Sequence, residues 1–349
     1  MSSSTFQPLR PRQGELLDSR RRPLRDLRLS VTDRCNFRCP YCMPGERFHE
    51  RYHFLKASER LSFGETVRLT RLFLQLGVVK LRITGGEPLL REGLPELIGD
   101  LTTLPGVADV ALTTNGVLLE QQAAALRAAG LQRVTVSLDS LDPAVFTAMS
   151  GGHGSVEGVL TGIGAAQRVG LAPIKLNAVV QRGLNEHTTL DLLEHFRGTG
   201  IIVRFIEYMD VGNRNDWDPA RVVSAQELLE RISARWPLRP LEPTYAGEVA
   251  RRYAFQDGAG EVGFISSVSQ PFCGECSRAR LSSDGKLYTC LFAADGTDLR
   301  APLRGGASDA ELIELIGAVW EHRADRYSEL REQLRAQGVK HIEMNHVGG

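Results

Sequence analysis

Six cysteines carry the chemistry legible in this chain, and they fall into two sets of three. Cys35, Cys39 and Cys42 are spaced C-x3-C-x2-C within DRCNFRCPYC, and Cys273, Cys276 and Cys290 are spaced C-x2-C-x13-C far downstream. Three thiolates are one fewer than the four that usually hold an iron–sulfur cube. Each set can therefore carry a cluster with one iron open to a substrate, and two open irons suggest an enzyme rather than an electron-transfer protein. Disulfides fit poorly, because no signal peptide precedes the first set and no secreted-type framework is visible. Structural zinc closes its tetrahedron with four ligands, normally at C-x2-C spacings. The C-x3-C-x2-C run is wrong for a finger, and the nearest histidine, His49, sits among charged residues. For the second set, zinc held by three cysteines and a distant histidine stays open as an alternative.

Positioning the first set falls to short apolar runs that alternate with helical patterns from Asp26 to about Tyr208. Strands are expected at Leu27–Val31, Val79–Thr84, Val110–Thr114, Arg133–Leu138, Ile174–Val180 and Ile201–Tyr208. Between them lie helices with apolar residues at i, i+3, i+4. Ser62 caps SFGETVRLTRLFLQLG, which stops at Gly77, and LLEQQAAALRAAG stops at Gly130. Six strand-then-helix units point to right-handed crossovers and a parallel sheet, which an open doubly wound sheet and a barrel both satisfy. The cysteine loop follows the first strand, GGEP the second, TTNG the third and SLDS the fourth. Convergence at the carboxyl ends of strands favours a barrel, here of six units rather than eight. The expected fold is α/β: an incomplete (β/α)6 TIM-like barrel with a C-terminal extension carrying a small antiparallel sheet and helices.

The expected divisions are a disordered N-terminal tail (residues 1–22), the partial barrel (23–236), a C-terminal region around the second cysteine set (237–340) and a Gly-Gly tail (341–349). Pro237, Pro240 and Pro243 punctuate a linker, Asp284-Gly285 signals a hairpin, and the end is helical from Asp309 to about Gln337. The Arg-rich start contains Glu15 and Asp18 and lacks a clear amphipathic helix, so it reads as a cytosolic tail rather than a transit peptide. At 349 residues with 42% hydrophobic content, the chain can bury one large core or two smaller ones. Lys plus Arg and Asp plus Glu both number 42, so no global field points to nucleic acid or an anionic membrane. No apolar run approaches the roughly 18 residues needed to span a bilayer. Reduced thiols held as metal ligands fit a cytoplasmic location.

C-x3-C-x2-C after a first strand is the hallmark of the radical S-adenosylmethionine (SAM) superfamily. RDLRLSVTDRCNFRCPYCMP, LRITGGEPLLR, LTTNG, VSLDS, RFIEYMDVGN, CSRARLSSDGKLYTCLF and the terminal Gly-Gly together resemble the GTP 3′,8-cyclase family of molybdenum cofactor biosynthesis, from about Pro23 to Gly349. The first cysteine run marks only the superfamily; the second set, its interposed R-x-R and the Gly-Gly end narrow the resemblance.

The resemblance implies two 4Fe–4S clusters, with SAM chelated by the open iron of the first and guanine bound by that of the second. It implies SAM contacts from Tyr41, Gly86, Ser137 and Met209, with a bare backbone at Gly86 allowing close approach. It implies GTP contacts from Arg28, Arg82, Thr113, Lys175, Arg278, Ala279 and Arg280, with Lys80 and Arg204 as weaker candidates. A triphosphate carries about four negative charges, and Arg forks suit its oxygens. Many relatives are expected to have Thr where this chain has Ala279. Taken singly, Tyr41 and Met209 read equally well as packing residues and Gly86 as a strand-end turn. No GxxxxGK[ST] run is present, so the nucleotide site is not of the P-loop type.

The implied activity is a lyase reaction converting GTP to (8S)-3′,8-cyclo-7,8-dihydroguanosine 5′-triphosphate. Implied partners are an electron donor and the next enzyme, cyclic pyranopterin monophosphate synthase, with a homodimer left open. Gly348 and Gly349 are implied to enter the barrel and serve catalysis. Two rivals remain at this point. A peptide-modifying radical SAM enzyme would usually carry more C-terminal cysteines, and an iron–sulfur redox module would not need a strand-end GGEP loop or a ring of cations.

Overall fold

The computed structural model describes residues 15–49, 51–245 and 247–349. Six strands, β1 (Asp26–Ser30), β2 (Lys80–Thr84), β3 (Asp109–Thr114), β4 (Arg133–Ser137), β5 (Lys175–Val180) and β6 (Ile202–Glu207), lie side by side in chain order. Each is parallel to the next. Helices pack on one face of this sheet. In helix Phe63–Gln75, Ser62 and Glu65 form a reciprocal capping box, and Leu69, Leu72 and Phe73 are buried. The opposite face bends round one cavity lined from β1 to β6. The fold is thus α/β with a mostly parallel sheet.

The six strands β7 (Leu238–Leu241), β8 (Arg251–Phe255), β9 (Glu261–Ile265), β10 (Arg278–Leu281), β11 (Lys286–Tyr288) and β12 (Thr297–Asp298) correct the expectation of a separate C-terminal sheet. They extend the first sheet at both ends, in the order β12-β11-β10-β1-β2-β3-β4-β5-β6-β9-β8-β7. β10 is parallel to β1 and β9 parallel to β6, while the outer pairs are antiparallel. The physical reason is that bare edges on β1 and β6 would leave two rows of unpaired N–H and C=O groups. The presumed proline linker is likewise partly a strand. Pro240 is tolerated in β7 because that strand is the outermost of the sheet. The helical end expected from Asp309 to about Gln337 consists of two helices, Asp309–Glu321 and Tyr327–Ala336.

Of the tail expected to be disordered, residues 1–14 lie outside the described residues, and residues 15–22 are built into the fold. Asp18 accepts from Arg22 Nε at 2.6 Å and from the Arg22 N–H at 2.8 Å. Arg22 Nη1 donates to the carbonyls of Cys273 (2.8 Å) and Asp325 (2.7 Å), and Trp320 Nε1 donates to the carbonyl of Arg22. Arg323 Nη1 approaches Asp18 at 3.4 Å and donates to the carbonyl of Cys276 at 2.6 Å. This buried network ties the N-terminal segment to the second cysteine loop. Removing one partner of such a pair strands the other charge in the interior. Asp18→Ala is expected to destabilise the fold by about 3–5 kcal/mol, read as a clear fall in melting temperature; an unmoved transition would return the segment to an idle tail.

Candidate active site

Both cysteine sets face one cavity of about 340 Å³. Cys35, Cys39 and Cys42 stand in the loop after β1, beyond the carboxyl ends of the parallel strands. Cys273 and Cys276 immediately precede β10, which runs beside the start of β1, and Cys290 follows β11. The cavity therefore has one set at each end of the strands and strand side chains between them.

The first cysteine loop is held by its own backbone and by three motif loops. The N–H groups of Cys42 and Met43 donate to the Cys39 carbonyl at 3.0 and 2.8 Å. Arg38 Nη1 donates to the carbonyls of Cys35 and Phe37, both at 2.8 Å. Gly86 N–H donates to Thr32 O at 2.7 Å, and Glu87 N–H to Arg34 O at 2.8 Å. A Cβ on Gly86 would overlap the Arg34 carbonyl. The glycine is therefore needed first for packing of the GGEP loop on the cysteine loop, a reason different from the expected approach of a ligand. The buried Glu87 carboxylate accepts from Leu89 N–H, Thr114 Oγ1 and Asn115 N–H at 2.7–2.9 Å, and burial pushes its carboxyl up to about 7. Tyr41 Oη donates to Asp139 Oδ2 at 2.8 Å, and Asp139 Oδ1 accepts from Val179 N–H. Asn215 Nδ2 reaches the carbonyls of both Tyr41 and Met209 at 3.3 Å. Ser137 and Met209 line the same cavity.

All six cysteines are free and half-buried. Burial, then Glu87, pushes the Cys35 thiol up to about 12, and burial likewise raises Cys39 and Cys42. Cys290 is pushed to about 12 by burial and then by Asp325. Burial alone would also raise Cys276, but Arg278 and Arg323 outweigh it and hold the thiol down to about 6. Thiolates in such surroundings need positive charge beside them, and iron would supply it. Among the described residues, no three His, Cys, Asp or Glu groups converge on a single-ion site. A four-iron cube takes its thiolates at separate corners and needs no such convergence. The donor sets fit the clusters implied by the sequence.

Between the two sets lies a crowd of cations. Arg28, Lys80, Arg82, Arg133 and Arg204 line the cavity, all projecting from β1, β2, β4 and β6. Alternation along β2 puts Lys80 and Arg82 on one face. Arg82 Nη1 donates to Thr113 Oγ1 at 3.0 Å and to Thr135 Oγ1 at 3.2 Å. Burial and then Arg280 hold the Arg28 guanidinium well below its usual range, and burial and then Arg82 bring Arg204 to about 9. Arg204 Nε is buried and has no hydrogen-bond partner. Crowded, partly unsatisfied cations of this kind favour a polyanion. Lys80 Nζ lies 3.1 Å from the centre of the Tyr245 ring.

Two of the expected nucleotide contacts are placed differently from the arginines. Lys175 begins β5 on the same face as Asn177 and Val179, which line the cavity, and burial and then Arg204 bring its ammonium down to about 7. Ala279 is fully buried in the hydrophobic core, because alternation along β10 aims it away from the face that carries Arg278 and Arg280. A hydroxyl at 279 would enter the core rather than the cavity. Arg278 and Arg280 line the cavity but have different tasks. Arg278 Nη2 donates to Cys276 Sγ at 3.2 Å and its guanidinium lies over the Phe272 ring. Arg280 Nη1 donates to the carbonyl of Gly348 and approaches that of Val347 at 3.4 Å. Gly349 lines the cavity, so the tail ends there.

Sequence reasoning missed Arg133, Asp139, Asn215 and Tyr245. Arg133 had a usable signal, since it shares a strand face with Thr135 and Ser137. It is paired with Asp109, with Nε to Oδ1 at 2.7 Å.

Residues 29–196 match the family described as the Radical SAM superfamily, and residues 201–329 match Molybdenum Cofactor Synthesis C. A protein of Xanthomonas axonopodis pv. citri named GTP 3′,8-cyclase is 56% identical over 94% of this chain and 97% of its own length. Its namesake from Acidothermus cellulolyticus is 54% identical over 95% and 98%. Among solved structures, Streptococcus suis SuiB bound to S-adenosylmethionine superposes with a TM-score of 0.60 at 15% identity, over 89% of this chain and 68% of that one, a likeness of fold.

Proposed function

The chain belongs to the GTP 3′,8-cyclase family of radical SAM enzymes, and we propose that its cavity converts GTP to (8S)-3′,8-cyclo-7,8-dihydroguanosine 5′-triphosphate, the first step of molybdenum cofactor biosynthesis. The observation that carries this reading is one cavity lined by both cysteine triads, with buried, mutually repelling cations between them. We read β1 to β6 with their helices as an incomplete (β/α)6 barrel around that cavity.

Cys35, Cys39 and Cys42 would hold one 4Fe–4S cluster and Cys273, Cys276 and Cys290 the other. When bound, these clusters and SAM supply one-electron chemistry able to break an unactivated C–H bond, which no side chain provides. The chain supplies position and charge. Tyr41, Gly86, Ser137 and Met209 border the first triad and would hold SAM, with Asp139 and Asn215 fixing Tyr41 and the Met209 carbonyl. Arg28, Lys80, Arg82, Arg133 and Arg204 would take the triphosphate, with Thr113 orienting Arg82. Arg278, beside Cys276, would keep the second triad anionic and face the nucleotide. Among the described residues no helix is long and apolar enough to cross a membrane. A cytoplasmic setting, an electron donor, hand-off to cyclic pyranopterin monophosphate synthase and a homodimer complete the proposal.

The test is anaerobic incubation of the reconstituted protein with SAM, GTP and a reductant. 5′-Deoxyadenosine is expected only when GTP is present; equal release without GTP would refute the reading. Truncating one partner of a desolvated charged pair typically costs ~2–5 kcal/mol of binding. Arg278→Ala should therefore weaken GTP binding by roughly tenfold or more with SAM affinity unchanged. Equal loss of both affinities would assign Arg278 to loop structure instead.

A further inference from the structure

The last residues reach the cavity through a second, smaller core. Val211, Phe292 and Tyr327 form it, with Met209, Cys290 and Met344 packed against it. Those last three come from different parts of the site: the loop after β6, the second cysteine triad, and the final helical turn before Gly348. Hydrogen bonds run through the same place. Tyr327 Oη donates to Asp210 Oδ2 at 2.7 Å, and Arg331 Nε donates to Asp210 Oδ1 at 2.8 Å. His341 Nε2 lies 3.0 Å from Tyr327 Oη, and its Nδ1 lies 2.9 Å from the Phe292 carbonyl oxygen. Phe292 stacks on Tyr327 with ring centres 4.4 Å apart. The His341 N–H donates to Asn213 Oδ1 at 2.9 Å, Asn213 Nδ2 donates to the His341 carbonyl, and Ile342 N–H donates to Ala293 O at 2.8 Å.

Asp210, Arg331 and His341 are all buried. Burying so many polar groups is costly unless all are satisfied, and chain ends are ordinarily left loose. Here the network, paired at Asp210, Tyr327 and His341 and leaving only Nη2 of Arg331 without a partner, converges on the point where the tail begins. Asp210 and Asn213 belong to the loop that carries Met209, and Phe292 lies two residues after Cys290.

We propose that His341, Tyr327 and Asn213 form a clamp of positioning residues that seats segment 341–349, in register with both cysteine triads, so that its end is delivered into the cavity. The proposal rests on the reading that Gly348 and Gly349 serve turnover. None of the three touches the reacting atoms; they act through the tail.

The test compares full-chain His341→Ala and Tyr327→Phe with a variant lacking Gly348 and Gly349, all reconstituted anaerobically. His341→Ala is expected to lower kcat by roughly tenfold, and Tyr327→Phe by roughly threefold, as for loss of a network and of one hydrogen bond. GTP affinity and iron content should stay at wild-type values, while amide exchange rises in 342–349 but not in β1 or β2. His341→Asn, whose amide still reaches the Phe292 carbonyl as a donor, should recover part of the loss. Wild-type kcat in both single variants, with the glycine-deleted variant inactive, would overturn the clamp and leave the tail reading standing. Full activity of the deleted variant would overturn both. Loss of iron or of the melting transition in both single variants would assign the network to folding and overturn the positioning role.

Discussion

Cys35→Ala is expected to abolish SAM cleavage and to remove about four of about eight iron atoms per chain, the content of one of two cubes. The site offers no replacement ligand. Cys35 sits on a loop fixed by Arg38, by Gly86 and Glu87 of the GGEP loop and by the N–H of Phe37, which lies 3.4 Å from Cys35 Sγ. That fixation leaves little freedom for a neighbour to swing in. His49, the nearest histidine in sequence, is exposed and its Nδ1 already accepts from the Arg51 N–H. Two thiolates would remain where three hold the cube, and burial together with the neighbouring Asp139 and Glu343 carboxylates already disfavours the thiolates of Cys39 and Cys42. Cys290→Ala should behave differently. Cys290 belongs to the satellite core and the second triad, so its loss should impair GTP binding while the first cluster and its SAM affinity persist. Iron and sulfide analysis with Mössbauer spectra on anaerobic protein distinguishes the two variants. Four iron atoms plus one zinc in the native chain would refute the assignment of the second triad.

The parallel core was legible because each of its strands is a local pattern. The expected strands at Leu27–Val31 and Val79–Thr84 differ from β1 and β2 by a residue at their ends. The cysteine, GGEP, TTNG and SLDS runs pointed to one end of the strands, where Glu87, Asn115 and Asp139 do knit the loops together. What escaped was pairing between distant segments. Nothing local in Arg278–Leu281 says that it will lie parallel to Asp26–Ser30, yet that register decides which residues face the cavity. It sends the Ala279 side chain into the core and Arg278 and Arg280 to the other face, so a nucleotide contact at 279 would be made by the backbone. The same holds for Asp18, whose second partner, Arg323, comes from the far end of the chain. An Arg-rich start without a clear amphipathic helix suggested a tail there; Arg22 is instead paired with Asp18 in the interior.

Gly348→Ala is expected to leave both clusters, the fold and GTP affinity in place and to lower turnover by about a hundredfold, the effect of a misplacement near 1 Å at a reacting site. Gly348 has φ +73° and ψ +137°, a backbone region that L side chains adopt only at a cost of roughly 1–3 kcal/mol. A Cβ there would also overlap the side chain of Thr84, which is buried at the carboxyl end of β2. Neither neighbour can yield readily. Thr84 is held by its pairing with Ser30 of β1 and by the Val31 N–H on its carbonyl, while Gly348 is fixed by its N–H to Met344 O at 2.8 Å and by Arg280 on its carbonyl. The added methyl must therefore displace the tail, and Gly349 would leave its place in the cavity lining. Because the nearest obstacles are the Thr84 methyl and hydroxyl, Thr84→Ala combined with Gly348→Ala should recover part of the lost turnover, a non-additive outcome that a double-mutant cycle reads directly. Deleting Gly349 should cost turnover as well, and a short peptide with the native terminal sequence, supplied in trans, should restore some of it. Full activity in a chain lacking both glycines would show that the tail only fills space.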